Sequence, residues 1–285
     1  MKPLPFSYAA PTTVDEAVGL LAAHGEDGKV LAGGQSLLPL CNFHLARPSC
    51  LVDINRVAEL DHVTARDGGL AIGALTRHAA LEEPVPVLGD RLALVARQVG
   101  HAAIRTRGTV AGSLAHADPA AEWPAVFVCW PGCTVRAASP RGTRAVPVAE
   151  LFRGYLTSAL EPDELLTELF VPALAEGTGF GFAEFSRRHG DFALAGAVAT
   201  VERRAGGTCG EARVVLFGAG PTPIAVPEVG AVLNGHRLDG TRREACREAV
   251  WQAAAPESDV HASAGYRRAL AGEMAVRALA QAAGP

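Results

Sequence analysis

The stretch Lys29-Val-Leu-Ala-Gly-Gly-Gln-Ser-Leu-Leu38 runs from a short apolar segment into paired glycines, two polar side chains and further apolar residues. It reads as a strand, a tight loop and a turn back into the core. Gly33 and Gly34 carry no Cβ, so the backbone can take positive φ and a bound group can come close to the peptide N–H donors. Gln35 and Ser36 add side-chain donors suited to phosphate oxygens. A Gly-Gly pair after a strand is more often just a plain turn. The spacing fits neither G-x-G-x-x-G nor G-x-x-x-x-G-K-[ST], which argues against a Rossmann fingerprint and a nucleotide-triphosphatase loop.

On the N-terminal side of this stretch, Thr13-Val-Asp-Glu16 is a capping box. It opens a helix with Val14, Ala17, Val18 and Leu21 on one face and Gly25 as its stop. On the other side, Leu51-Val-Asp-Ile54 reads as a second buried strand. Alternating Leu70, Ile72 and Ala74 predict another strand, followed by a helix capped at Thr76 that runs through Leu81, and a further helix near Arg91 to Val99.

A second small-residue stretch follows, Arg105-Thr-Arg-Gly-Thr-Val-Ala-Gly-Ser-Leu-Ala-His-Ala-Asp-Pro-Ala-Ala-Glu122. Gly108, Thr109, Gly112 and Ser113 read as a loop, and two such loops could grip the two ends of a diphosphate. Asp118-Pro119 predicts the N-cap and first residue of a helix. Glu122, one turn in, is expected to be exposed and to complement the helix dipole. His116 could face a ligand or satisfy a turn, and Arg105 and Arg107 are expected in surface or interdomain pairs.

Residues 133–137 and 144–148 form a predicted hairpin, and residues 164–172 a strand. The small-residue run Ala173-Leu-Ala-Glu-Gly-Thr-Gly179 marks the expected domain boundary. Beyond it, strands near 180–185, 195–202 and 212–217 precede helices from Thr241 and Ser263, an α+β arrangement. Ser186-Arg-Arg-His-Gly-Asp-Phe192 interrupts two of these strands; it reads as a hairpin turn, or as a turn that lays the Phe192 ring on a planar cofactor.

The 285 residues carry a net charge of −4 with no basic block, which gives no footprint for nucleic acid or an anionic membrane. No apolar run is long enough to span a bilayer, and the first residues lack a signal-peptide core, so a cytoplasmic protein without an integral membrane segment is expected. Six scattered cysteines predict buried free thiols, with no metal site and no iron–sulfur cluster of the chain's own.

Together, Ala-Gly-Gly-Gln-Ser, Arg-Gly-Thr-Val-Ala-Gly-Ser-Leu-Ala-His-Ala-Asp-Pro-Ala-Ala-Glu, Glu-Leu-Leu-Thr-Glu and Arg-Arg-His-Gly-Asp-Phe resemble, in that order, the FAD-binding medium subunits of molybdenum hydroxylases of the carbon monoxide dehydrogenase and xanthine dehydrogenase type. The resemblance extends to Ser258-Asp-Val-His-Ala-Ser-Ala-Gly-Tyr-Arg-Arg268 near the end of the chain. It implies an α+β protein: a two-lobed FAD-binding domain of the vanillyl-alcohol-oxidase (PCMH) type over residues 1–175, with lobes of about 1–55 and 56–175, then a flavoprotein C-terminal domain over 176–285.

By the same resemblance, residues Ala32 to Ser36, extended by Leu37, and Thr109 to Ser113 would hold the pyrophosphate of a non-covalent FAD. Asp118 and Glu122 would lie near the ribityl and adenosine groups, and His116 is a further candidate for binding the cofactor. Leu166 would contact the flavin and Phe192 would lie beside the isoalloxazine. No catalytic residue is expected. The chain would pass electrons from 2Fe-2S clusters of a small partner subunit, fed by the molybdenum cofactor of a large one, to an external electron acceptor. A stand-alone FAD-dependent oxidase and a flavin-free scaffold are the alternatives. Ala111 stands where the family usually has another glycine, and Cys41 and His44 replace a more usual methionine and arginine.

Overall fold

A computed structural model describes residues 2–284. Three sheets follow one another along the chain. The first is parallel, in the order β1-β3-β2, from β1 (Ser7–Ala9), β2 (Gly28–Leu31) and β3 (Cys50–Asp53). Helix α1 (Val14–His24) links β1 to β2 and buries Ala17, Val18 and Leu21. Its N-cap is Thr13, whose hydroxyl accepts from the Glu16 N–H, while the Glu16 carboxylate turns to Thr12.

After β2 the chain does not simply turn back: residues 37–42 form a short helix, α2 (Leu37–Asn42). Pro39 lies in its first turn, where a missing N–H removes no helical bond.

The second sheet is antiparallel, ordered β4-β5-β10-β6-β7. Its strands are β4 (Val63–Arg66), β5 (Gly69–Gly73), β6 (Thr134–Ser139), β7 (Gly142–Pro147) and β10 (Leu165–Pro172). A small hairpin, β8 (Phe152–Gly154) with β9 (Thr157–Ser158), precedes β10. Between β5 and β6 lie four helices: α3 (Arg91–Ala96), α4 (Ala102–Arg105), α5 (Val110–His116) and α6 (Glu122–Cys129). Thr76 does not cap a helix. Its hydroxyl donates to the His62 carbonyl, and only a 3-10 turn forms over His78–Leu81.

The third sheet, ordered β11-β12-β13-β14, contains β11 (Thr178–Phe185), β12 (Ala195–Arg203), β13 (Cys209–Phe217) and β14 (Ile224–Ala225). Alternation along the strands gives it two buried faces. Phe180, Phe182, Val198, Val215 and Phe217 join the core of the first two sheets. Ala197, Ala199, Val214 and Leu216 pack under α7 (Pro227–Leu233), α8 (Gly240–Ala253) and α9 (Ala264–Ala283). At the junction, Trp130 stacks obliquely on Phe180 and its indole donates to the Pro172 carbonyl at 2.8 Å. All six cysteines are free and buried, and burial pushes the Cys129 thiol up to about 12. Among the described residues no helix is long and apolar enough to cross a membrane, and no cluster of three potential ligands is placed to hold a metal ion.

Candidate functional site

A cavity of about 420 Å³ opens between the end of β2 with its following loop, the helical segment between β5 and β6, and the β11–β12 loop. One wall is the β2–α2 loop, from Ala32 to Leu37. Gly34 takes φ +71°, and a Cβ there would press on Leu38 at 3.0 Å and Leu31 at 3.1 Å. The N–H groups of Gly33, Gly34, Gln35 and Ser36 donate to no protein acceptor among the described residues, and the Ser36 side chain makes no capping bond. The Gln35 amide donates to the Gly33 carbonyl at 3.0 Å.

The opposite wall is Gly108, Thr109, Gly112 and Ser113. Here the expected loop is shorter than the sequence suggests. Thr109 is the N-cap of α5, its hydroxyl accepting from Gly112 N at 3.1 Å, so Gly112 and Ser113 already belong to the first helical turns. A polar strap joins the two walls from behind: Asn55 Nδ2 donates to the Ala32 carbonyl at 2.9 Å, and the Arg77 guanidinium donates to Asn55 Oδ1 at 2.5 Å and to the Arg107 carbonyl at 2.6 Å. Burial, with Arg107 nearby, lowers the Arg77 pKa. Arg105 turns away and pairs with Glu82 at 2.8 Å.

The floor differs most from expectation. Asp118 does not cap α6. Its carboxylate accepts from Ala120 N at 2.9 Å in a local turn, the Pro119 carbonyl accepts from Gly218 N at 2.7 Å, and α6 begins at Glu122 with Ala121 as N-cap. Glu122 is 5% exposed rather than solvated, because α6 is covered by β12 and β13. Burial, with Asp118 adding, pushes its carboxyl up to about 7. On β11, Glu184 is pushed up to about 8 by burial and by Glu122, and its Oε2 is buried with no hydrogen-bond partner. His116 lines the cavity, and burial lowers its pKa against the opposing effect of Asp118.

The fourth side comes from the β11–β12 loop. Gly190, at φ +87°, packs directly on the His101 ring, and Phe192 stands at the mouth with 63% of its surface exposed.

Of the fifteen residues expected at a cofactor, the structure brings thirteen to this cavity. Ala111 and Leu166 lie off its wall. Both side chains are buried in the main core, which leaves only their backbone to face a ligand. Ala111 is an ordinary helical residue of α5, so an alanine there strains nothing. Lys29, Val99, Ile104 and His78 also line the cavity and were not anticipated. Lys29 and Val30 continue the strand already read, whereas His78 carries no motif of its own. The residues fit a dinucleotide: uncommitted N–H donors at Gly33 to Ser36, apolar walls and an exposed ring at the mouth.

Residues 4–174 match the family model described as the FAD binding domain in molybdopterin dehydrogenase, and residues 180–282 match the CO dehydrogenase flavoprotein C-terminal domain. The chain is 43% identical to the 6-hydroxypseudooxynicotine dehydrogenase complex subunit alpha of Paenarthrobacter nicotinovorans, over 99% of this chain and 96% of that one. It is 37% identical to the nicotine 6-hydroxylase medium subunit of the same organism, over 96% of each. A solved structure of carbon monoxide dehydrogenase from Hydrogenophaga pseudoflava that lacks the Mo-pyranopterin moiety superposes with a TM-score of 0.94 at 36% identity, covering 99% of this chain and 98% of that one.

Proposed function

The chain belongs to the FAD-binding medium subunits of the molybdenum hydroxylases, and on that premise we propose that it relays electrons from 2Fe-2S clusters of a small partner subunit to an external acceptor. A large subunit would hold the molybdenum cofactor at which those electrons originate. The observation that carries this reading is the cavity wall at Gly33 to Ser36, where four successive backbone N–H donors stay uncommitted among the described residues.

When bound, FAD supplies the ability to take up electrons and pass them on. The chain's own residues bind and orient it. Ala32 to Leu37 hold the diphosphate through N–H groups and the Ser36 hydroxyl, opposed by Thr109, Gly112 and Ser113. Asp118, Glu122 and His116 face the ribityl and adenosine region. Phe192 lies against the isoalloxazine, where an exposed aromatic face at a cavity mouth has apolar area to cover. The division into residues 1–175, with lobes of about 1–55 and 56–175, and 176–285 is supported by the sequential order of the three sheets.

Stopped-flow flavin bleaching tests the reading. With candidate organic substrates the chain alone should bleach slowly, and rapidly once the iron–sulfur and molybdenum subunits are added. Rapid substrate-dependent bleaching by the chain alone would establish the oxidase instead.

A further inference from the structure

Behind the cavity wall, the indole Nε1 of Trp123 donates to His78 Nδ1 at 3.0 Å. An indole nitrogen only donates, so Nδ1 must be the bare nitrogen and the ring hydrogen sits on Nε2. Trp123 is fully buried and stacked on Phe127 at 5.5 Å between ring centroids, so the core holds this tautomer. The His78 ring is 5% exposed, and burial, with Arg105 and Arg77 adding, lowers its pKa to about 4. It is therefore neutral at physiological pH.

The far edge of the ring faces the cavity wall. A Cβ on Gly108 would lie 2.8 Å from both Nε2 and Cδ2, and the His78 backbone N–H donates to the Gly108 carbonyl at 3.0 Å, which ties the His78 backbone to the loop. Gly108 in turn abuts Gly33, so the Nε2 edge lies beside the junction of the two proposed diphosphate walls. No protein acceptor among the described residues takes the Nε2 hydrogen. A donor of fixed tautomer, bonded from behind and bordering the cavity beside Gly108, matches a ligand group that only accepts.

We propose that His78 donates its Nε2 hydrogen to the diphosphate of the bound flavin dinucleotide, as a neutral positioning residue whose tautomer Trp123 sets. This rests on the reading of the cavity as an FAD site.

Calorimetric titration of the flavin-free, full-length chain with FAD, ADP and FMN tests it. His78→Leu should weaken FAD and ADP at least tenfold each and FMN less than threefold. His78→Gln, whose amide places an N–H near Nε2, should stay within threefold of wild type for FAD. In ¹⁵N spectra of the imidazole, wild type should show the Nε2–H tautomer, its hydrogen moving downfield on addition of FAD or ADP; Trp123→Phe should show a tautomer mixture and weaker FAD binding. The proposal is overturned if His78→Leu binds FAD like wild type, if Gln is as poor as Leu, or if FAD weakens while ADP does not. Wild-type chain that fails to bind FAD would instead remove the reading beneath it.

Discussion

Gly33 and Gly108 pack backbone to backbone: a methyl group on the first would lie 2.6 Å from the Cα of the second, and closer still to the Arg107 carbonyl. No flexible side chain stands between them to give way. Gly33→Ala should therefore push the two walls apart, at a cost of about 1–3 kcal/mol of stability. Flavin content should fall well below half of the wild-type ratio, measured by flavin absorbance against protein. Full flavin content with an unchanged Tm would show that the contact is slack.

Gly34 fails for a different reason. Its φ of +71° costs a residue with a side chain about 1–2 kcal/mol, and a β-branched side chain would also crowd Leu31 and Leu38. Gly34→Val should purify without flavin while keeping a wild-type circular dichroism spectrum. Fully flavinylated Gly34→Val would disconnect this loop from the diphosphate.

The strap predicts an effect from outside the cavity. Arg77 is tied to Asn55 and to the Arg107 carbonyl, and Asn55 to Ala32, so Arg77→Met releases one wall from the other without touching a ligand. We expect FAD affinity to fall about tenfold, equivalent to about 1.4 kcal/mol, with a more modest change for Asn55→Asp. Unchanged FAD affinity in Arg77→Met would mean that packing alone holds the walls.

The buried carboxyls set a pH dependence. Unfolded, Glu122 and Glu184 lose their protons near the ordinary 4.5; folded, they hold them up to about 7 and about 8. Between these limits the folded chain binds more protons than the unfolded one, so stability falls as pH rises. The contribution is fully present below about pH 4.5 and lost by about pH 8. Since one pKa unit is about 1.4 kcal/mol, Glu184→Gln should exceed wild type at pH 8.5 by about 1–3 kcal/mol and show a flatter profile in urea titrations from pH 5 to 8.5. A wild-type profile that rises over this range would contradict the assignment.

What the residues disclosed and what they hid divide along physical lines. The capped and periodic elements were legible: Thr13 and Ser263 accept from the N–H three residues on, and the alternation in β11 to β13 sorts side chains to two faces as read. The first glycine loop was visible as a strand followed by a tight turn, but the glycine pair alone did not tell a ligand cradle from a plain turn. Helix α2 was hidden by Pro39, which reads as a breaker unless its position in the first turn is known. Glu122 reads as an exposed carboxylate because nothing local says otherwise; the strands that bury it lie some seventy to ninety residues away along the sequence. His78 was invisible for the same reason, since its tautomer depends on Trp123, forty-five residues on.

The seating of Gly190 on His101 has a consequence for how the protein is made. Residues 33, 109 and 192 all border one cavity, so on the ribosome two walls emerge long before the third. Helix α6, with Phe127 and Val126 wholly buried beneath β12 and β13, also waits for those strands before its apolar face is covered. A nascent chain halted before residue 192 would present an unfinished socket and a sticky helix together. With the cavity read as the FAD site, cofactor loading should wait for the closing stage of biogenesis, and chains truncated in the last third should be cleared by quality control rather than accumulate as partly loaded protein.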